Sequence, residues 1–178
     1  HINHILKQQF FDFEKIKKKK LKIVVDAVNG AASTALPLLL EQLNCKAINI
    51  ACDSSKPFPR IPEPIPENLN MLSNAVIENN ADLGIATDPD GDRLSLVDNN
   101  GTPIGEEFTL ALSFYHYLNK SKSSECMVTN LSSSSLSDFI TSSFNSNLKR
   151  SAVGEINVIE LMKKHHAPLG GEGNGGVI

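Results

Sequence analysis

The first third of the chain alternates between strand and helix patterns, and this alternation limits the possible folds more than any other feature. The run LKIVVD, residues 21–26, is rich in β-branched residues and leads into a glycine-containing turn, which is typical of a buried strand. Residues 31–45 carry leucines at helical spacing, and the run KAINIAC, residues 46–52, predicts a second strand. A strand, a helix and a strand in this order predict parallel strands joined by a right-handed crossover.

A proline-rich segment, SKPFPRIPEPIPENL at residues 55–69, follows this unit. Because proline lacks a backbone N–H, such closely spaced prolines predict an extended loop rather than a helix or a central strand. We expect the next helix to begin at Glu67 and to end near Asn80. Its inward-facing residues are predicted to be Leu69, Leu72, Val76 and Ile77.

The rest of the chain continues the alternation. Residues 81–98, ADLGIATDPDGDRLSLVD, contain two strand-like runs, and a turn follows at residues 98–101. The further predicted elements are helices near residues 106–118, 135–144 and 156–166 and strands within residues 125–130 and 148–153. This pattern predicts an α/β fold of tandem three-layer α/β/α units with mostly parallel, mixed sheets.

The predicted domain boundary lies near Gly105, so that the first unit spans residues 1–105 and the second spans residues 106–178. The second unit is expected to be truncated. The chain starts at His1 rather than at a methionine, and it ends in GGEGNGGVI without a polar tail. We therefore expect the sequence to be a middle piece of a longer protein.

Composition excludes several classes of protein. The formal net charge of −3 argues against a nucleic-acid-binding protein, which needs a concentrated basic face. Cys45, Cys52 and Cys126 lack C-x-x-C spacing, so neither a disulfide framework nor a zinc site is indicated, and a reducing cytoplasm fits best. The sequence has no apolar stretch near the roughly 20 residues that span a bilayer, so we expect no membrane association.

The segment TDPDGDR carries Asp88, Asp90 and Asp92 at alternate positions directly after an apolar run. Alternate side chains of an extended segment point the same way, and Gly91 allows the chain to bend, so the three carboxylates can converge on one ion. Three hard oxygen donors suit Mg²⁺. Arg93 can hold phosphate oxygens beside that ion, and the pair can neutralise a transferring phosphoryl group.

Three stretches of the chain resemble the α-D-phosphohexomutases, a family that includes phosphoglucomutase, phosphomannomutase and phosphoglucosamine mutase. TDPDGDR is similar to the family's D-x-D-x-D-R metal loop, and PFPRIPEPIPENL is similar to the F-P-x-x-P-x-P-x-x-x-x-L segment upstream of it. GGEGNGGVI resembles the sugar-recognition loop, which is usually G-E-x-S-G. The three stretches occur in the family's order and at its spacing.

The resemblance implies an enzyme of four domains, of which this chain would be domain II and the first part of domain III. Asp88, Asp90 and Asp92 would hold Mg²⁺, and a phosphoserine of the first domain would exchange a phosphoryl group with a hexose 1- or 6-phosphate through a bisphosphorylated intermediate. The family's phosphoserine loop, T-A-S-H-N-P, is not in this sequence. The chain is therefore expected to be inactive without the remaining domains of the same polypeptide.

Within the loop that resembles the sugar-recognition loop, Glu172 can accept hydrogen bonds from two adjacent sugar hydroxyls and Asn174 can add a third. Gly171 and Gly173 would let the backbone approach the sugar closely. Many members of the family have Ser where this chain has Asn174. Glu155 stands where the family often has His or an aromatic residue, and we assign it no role.

Two other functions remain open. A phosphatase of the haloacid-dehalogenase type would use Asp88 as an aspartyl nucleophile and Asp90 as an acid, although that family usually has Thr or Val where Asp92 stands. A non-catalytic module that binds sugar phosphates is the other possibility. The preferred hexose is open as well, because glucose, mannose and glucosamine phosphates share the 3- and 4-hydroxyl arrangement that Glu172 is expected to bind.

Overall fold

The computed structural model describes residues 1–122 and 124–178, which form two compact units, His1–Gly105 and Glu106–Ile178. Each unit is built on its own sheet, and most strand pairs are parallel. The predicted α/β class with parallel-rich sheets is confirmed.

The first unit contains a four-stranded sheet with helices on both faces. Its elements are α1 (Ile2–Ile5), α2 (Phe13–Lys19), β1 (Lys22–Asp26), α3 (Ala32–Gln42), β2 (Lys46–Ala51), a 3-10 turn (Pro66–Asn68), α4 (Asn70–Glu78), β3 (Leu83–Thr87) and β4 (Leu94–Val97). The strand order is β2-β1-β3-β4, and only the pairing of β3 with β4 in this sheet is antiparallel. The predicted parallel strand–helix–strand unit is confirmed.

Side chains of β1 alternate between two apolar clusters, one on each face of the sheet. Val24 packs with residues of α4, including Leu72 and Val76, whereas Ile23 and Val25 pack on the other face with residues of α3. A sheet covered on both faces reads as a nearly continuous apolar run, which explains the composition of β1. These two clusters fix the position of the strand ends that carry the polar loops.

The prediction for the helix after the proline segment was partly wrong. Residues 66–68 form the 3-10 turn, so the α-helix begins at Asn70 rather than at Glu67. Leu69, Leu72 and Val76 are buried as expected, but Ile77 is 54% exposed. One residue after Val76, Ile77 lies about 100° further around the helix and so leaves the face that contacts the sheet.

The second unit contains a three-stranded parallel sheet of order β6-β5-β7. Its elements are α5 (Glu107–Ser121), β5 (Met127–Asn130), α6 (Leu136–Ser143), β6 (Leu148–Ser151), α7 (Glu155–His165) and β7 (Gly170–Gly171). All four residues of β5 are buried, and Met127 packs with Leu110, Phe114 and Leu118 of α5. The predicted helices and strands of this region are confirmed, with ends shifted by a few residues.

Two properties concern the chain as a whole. Among the residues described, no helix combines the length and the apolar character needed to cross a membrane. Cys45, Cys52 and Cys126 are free thiols, and burial raises the pKa of each of them. The thiol form of each cysteine is therefore favoured over the reactive thiolate.

Candidate metal-binding and sugar-binding loops

The loop that carries the aspartates begins where β3 ends. Asp88 directly follows Thr87, the last residue of β3, and the chain returns into the sheet at Leu94. This placement at the carboxyl end of a strand confirms the sequence-based expectation, and ligands of open α/β sheets usually bind at that end. We call residues 88–93 the aspartate loop.

The three aspartates converge although they repel one another. Asp88 is buried, whereas Asp90 and Asp92 are exposed, and one carboxylate oxygen from each lies within 4.8 Å of the other two. Three hard oxygen donors at this separation fit a small divalent cation. The donor set therefore suits Mg²⁺.

Asp88 also shapes the loop. Its Oδ1 accepts hydrogen bonds from the backbone N–H groups of Gly91 and Arg93, both at 3.1 Å. Gly91 has a φ of +81°, a left-handed conformation that favours glycine. The buried carboxylate thus closes the turn that brings Asp90 and Asp92 near it.

Arg93 lies beside the carboxylates at distances too long for strong ion pairs. Its Nε is 3.7 Å from Asp88 Oδ2 and 3.9 Å from Asp92 Oδ1, and its Nη1 is 3.5 Å from Glu63 Oε1. The side chain is 35% exposed, so solvent reaches the guanidinium. One guanidinium among three aspartates leaves negative charge uncompensated at the loop, and the exposed N–H groups can bind an anion.

A buried ion pair next to the aspartate loop was missed by the sequence reasoning. Arg60 Nε donates to Asp26 Oδ2 at 2.7 Å, and the two side chains are 6% and 0% exposed. The same guanidinium donates to the carbonyl oxygens of Ile61, Pro62 and Thr87 at 3.0, 2.9 and 2.9 Å. The proline segment is thereby tied to the ends of β1 and β3, one residue before Asp88.

The available signal for this pair was an aspartate at the end of an apolar strand together with a single arginine in the proline segment. Burial of a carboxylate requires a partner. Sequence alone did not show which cation would supply it.

The loop between β1 and α3 packs against the aspartate loop and forms a hydrogen bond with it. Ala31 N–H donates to the carbonyl oxygen of Pro89 at 2.7 Å, and a Cβ added at Gly30 would overlap that oxygen. Val28 and Asn29 have positive φ values of 46° and 59°. A β-branched residue is rare in this conformation and costs about 1–3 kcal/mol, so the surrounding contacts must hold the loop in place.

In the second unit, Glu172 directly follows β7, just as Asp88 follows β3. Its Oε1 accepts hydrogen bonds from Asn130 Nδ2 at 2.6 Å and from Gly154 N–H at 3.0 Å. Asn130 is the last residue of β5, and Gly154 precedes α7. Three neighbouring chain segments therefore meet at one carboxylate oxygen.

Residues 172–176, which we call the glycine loop, form a tight turn. Glu172 N–H donates to Gly176 O at 3.0 Å, and Asn174 Oδ1 accepts from Gly176 N–H at 3.1 Å. A Cβ added at Gly171 would overlap Gly176 O, and one at Gly173 would lie 3.1 Å from Ser133 Cα. Packing within the unit therefore requires glycine at position 171, whereas a side chain at Gly173 would need only a small shift of Ser133.

The other residue singled out in this region, Glu155, is the first residue of α7 and is exposed. Its neighbour Gly154 has a φ of +115° and donates to Glu172. The sequence analysis assigned no role to Gly154, but its backbone N–H is the group that contacts the candidate sugar-binding carboxylate.

Each α/β unit carries at least one carboxylate directly after a parallel strand, which is the usual position of ligand-binding groups in α/β domains. Residues 1–101 match the model of phosphoglucomutase/phosphomannomutase alpha/beta/alpha domain II, and residues 106–178 match that of domain III. The chain belongs to the phosphoglucomutase/phosphomannomutase family, whose members are phosphohexomutases.

Individual relatives agree with this assignment. The chain is 38% identical over 168 residues to a phosphoglucomutase/phosphomannomutase of Thermococcus kodakarensis, covering 94% of this chain and 37% of the relative. It is 37% identical over 161 residues to a probable phosphoglucosamine mutase of Methanosarcina barkeri, covering 90% and 36%. The chain thus spans little more than a third of the length of these relatives.

A solved structure shows the same fold. A phosphoglucomutase/phosphomannomutase family protein from Burkholderia thailandensis superposes with a TM-score of 0.81 at 27% identity, covering 93% of this chain and 37% of that one. The relatives carry different substrate names, so membership of the family does not specify the sugar.

Proposed function

We propose that this chain is part of a phosphohexomutase that interconverts hexose 1-phosphate and hexose 6-phosphate through a phosphoserine enzyme and a bisphosphorylated sugar. The observation that carries the proposal is the convergence of Asp88, Asp90 and Asp92 within 4.8 Å at the carboxyl end of β3, with Arg93 beside them. The remaining domains of the polypeptide would supply the phosphoserine.

The aspartate loop would hold Mg²⁺ through the carboxylates of Asp88, Asp90 and Asp92. The bound ion would offset the negative charge of the phosphoryl group. Arg93 would donate its exposed N–H groups to phosphoryl oxygens, which guanidinium groups bind in two-pronged geometry. Asp88 would keep the loop closed through its bonds to Gly91 and Arg93, so that the charged groups do not need to reorganise during the reaction.

The glycine loop would bind the sugar. Glu172 and Asn174 would contact hydroxyls that glucose and mannose phosphates share, so dual specificity is the expectation, and glucosamine phosphate keeps the same hydroxyls. Gly171 and Gly173 would shape the loop around the two side chains. We place the enzyme in the cytoplasm, because the three cysteines of this chain are free thiols.

The test is a mutase assay on the intact protein that contains this chain, with glucose, mannose and glucosamine phosphates and Mg²⁺. We expect interconversion of the 1- and 6-phosphates and an acid-stable phosphoserine. The 178-residue chain alone should show no turnover. A folded intact protein without a serine phosphate that turns over none of these sugars would refute the proposal, and an acid-labile phosphate on Asp88 would favour the aspartyl phosphatase.

Substitution of Glu172 tests the sugar assignment. Glu172→Ala removes charge-assisted hydrogen bonds to sugar hydroxyls, so kcat/KM should fall by roughly tenfold or more on glucose and mannose phosphates alike. If the loss occurred on one sugar only, or on neither, Glu172 would not bind hydroxyls that the two sugars share.

A further inference from the structure

Asn130 is buried, and the oxygen and nitrogen of its side-chain amide contact different groups. Its side-chain oxygen accepts hydrogen bonds from the backbone N–H groups of Ser132 and Ser133 at 3.1 and 3.0 Å, and from their hydroxyls at 3.0 and 2.9 Å. Its Nδ2 donates to Glu172 Oε1 at 2.6 Å. The Asn130 side chain is 2% exposed, so the amide itself is shielded from water, whereas Ser132 is exposed and Glu172 is half-buried.

The orientation of this amide follows from the chemistry of its partners. A backbone N–H can only donate, so the atom that faces Ser132 and Ser133 must be the acceptor oxygen. An ionised carboxylate can only accept, so the atom that faces Glu172 must be the NH₂ group. Both sets of contacts require the same orientation of Asn130.

The turn that holds Asn130 is itself braced. Arg150 donates to the carbonyl oxygens of Asn130, Ser133 and Ser134 at 2.9, 2.8 and 3.0 Å. One guanidinium thus binds three carbonyl oxygens at the end of β5 and in the turn that follows it. The position of the Asn130 amide is therefore set by the fold of the second unit.

The contacts of Glu172 divide its carboxylate into two unequal oxygens. Oε1 accepts from both Asn130 and Gly154, and a carboxylate oxygen has about two acceptor sites. Within the part of the chain that the structure describes, Oε2 accepts no hydrogen bond, so it is the oxygen left for a ligand.

We propose that Asn130 is the positioning residue for Glu172: it holds Oε1 and thereby presents Oε2 to a hydroxyl of the hexose phosphate. The inference rests on the proposed function for the identity of the ligand. The contact between Asn130 and Glu172 can be tested independently of any ligand.

The decisive variant is Asn130→Asp in the intact protein. Aspartate keeps an acceptor for the turn at Ser132 and Ser133 but replaces the NH₂ donor with an oxygen that faces Glu172. Two adjacent carboxylates repel unless they share a proton. At pH 8 we expect KM for hexose phosphate to rise roughly tenfold or more, with a smaller change in kcat.

The pH profile separates positioning from a general loss of structure. At about pH 5 a shared proton restores a hydrogen bond between the two carboxyl groups, so KM of Asn130→Asp should return toward the wild-type value. The control is Asn147→Asp, the same charge change at an exposed residue of the same unit, and its KM should follow the wild type at both pH values.

A double-mutant cycle tests the contact without substrate. Combining Asn130→Asp with Glu172→Ala removes the carboxylate that the introduced one repels, so Asn130→Asp should lower Tm less in the Glu172→Ala background than in the wild type, whereas KM should stay raised. If the intact protein turns over no hexose phosphate, the smaller loss of Tm still supports the contact, and only the proposed function fails. Additive Tm changes would overturn the inference.

Two results in the kinetic experiment would also overturn it. One is a folded Asn130→Asp variant with the KM and pH profile of the wild type. The other is a rise in KM that does not depend on pH. If Asn130→Asp does not fold, NMR of the wild-type protein decides, because the side-chain amide resonances of Asn130 should shift as the Glu172 carboxylate is protonated. Asn130 side-chain chemical shifts that do not change when Glu172 is protonated would refute the contact.

Discussion

The two units of this chain use the same strand arrangement to build two different polar sites. The central strands β1 and β5 end in Asp26 and Asn130, and the neighbouring parallel strands β3 and β7 lead directly into Asp88 and Glu172. Asp26 and Asn130 each accept a hydrogen bond from the N–H group two residues later. The corresponding positions are therefore polar in both units for the same reason, which is the need to satisfy a loop at a strand end.

The difference lies in which groups neutralise the carboxylate after the strand. Asp88 receives N–H groups of its own loop, and two more aspartates lie beside it, so negative charge is concentrated there. Glu172 receives donors from two other loops, through Asn130 and Gly154. One topological position thus carries a cluster of three carboxylates in the first unit and a single hydrogen-bonding carboxylate in the second.

An arginine braces the strand ends in each unit, but in different surroundings. Arg60 pairs with Asp26, which is fully buried, whereas Arg150 pairs with Asp138, which is 51% exposed. Both guanidinium groups also donate to a carbonyl oxygen at a strand end and to carbonyl oxygens of a neighbouring loop. The two arginines should therefore contribute unequally to stability.

The largest expected effect separates these two arginines. Arg60→Met leaves the Asp26 carboxylate buried without its partner, so the free energy of unfolding should fall by about 3–5 kcal/mol. Arg150→Met breaks three hydrogen bonds to carbonyl oxygens, but the Asp138 carboxylate that it leaves is reached by water. The free energy of unfolding should therefore fall by only about 1–3 kcal/mol. Chemical denaturation of the chain measures both.

A matched control is Lys56→Met, which breaks an exposed pair with Asp53 in the first unit and should change stability by less than about 1 kcal/mol. Adding Asp26→Asn to Arg60→Met should recover part of the loss, because the uncompensated charge is removed. Equal losses for Arg60→Met and Lys56→Met would contradict the assignment of a buried ion pair.

Two glycine variants, one in each unit, should lower the free energy of unfolding by intermediate amounts and should differ in their effect on Mg²⁺ binding. A Cβ at Gly30 would overlap Pro89 O in the aspartate loop, and a Cβ at Gly171 would overlap Gly176 O in the glycine loop. Each change to Ala should cost about 1–3 kcal/mol of unfolding free energy. Calorimetry should show weaker Mg²⁺ binding for Gly30→Ala only, and the same loss in both variants would argue against two separate sites.

Measuring Mg²⁺ affinity compares the carboxylates of the aspartate loop with the carboxylate of Glu172. The 178-residue chain should bind Mg²⁺ more weakly than micromolar, because under the proposed function a phosphoserine oxygen of another domain would complete the site. Asp90→Asn should reduce that affinity by about tenfold or more. Glu172→Gln, an equal change of charge, should leave it unaltered, and submicromolar binding by the wild type would count against the proposed division of ligands.

The smallest expected effects are opposite responses of the two units to pH. In the first unit, the Ser55 hydroxyl and then Lys56 lower the pKa of Asp53 to about 2, so its stabilising contribution is present above its unfolded pKa and is lost as pH falls toward 2. In the second unit, desolvation and then the hydrogen bond to Glu125 raise the pKa of Tyr117 to about 12, so its contribution is lost as pH rises toward 12.

NMR titration of the Asp53 carboxyl and ultraviolet titration of Tyr117 check these directions. Asp53→Asn should remove the acid-dependent contribution, and Tyr117→Phe should remove the alkaline one. Ordinary titration of both residues would show that the two units do not differ in this respect.

Much of the fold was predictable because its signals are local. The β-branched runs at β1 and β2, the leucines of α3 and the proline segment each act over a few neighbouring residues. The aspartate loop was predictable for the same reason, since its three carboxylates are close in sequence and follow a strand. Ile77 was misjudged because the exact edge of a buried helix face depends on how the helix sits on the sheet.

The sequence by itself determined the α/β units, the aspartate loop and the glycine-rich segment that carries Glu172, whereas the strand β7 directly before Glu172 was not predicted. The tertiary structure decided which groups hold those loops: Arg60 reaches Asp26 across 34 residues, and Asn130 reaches Glu172 across 42. These partners meet only because parallel strands place distant chain segments side by side at one edge of a sheet. A hydrogen bond forms only at about 3 Å, and a local sequence pattern does not show which distant residues come that close.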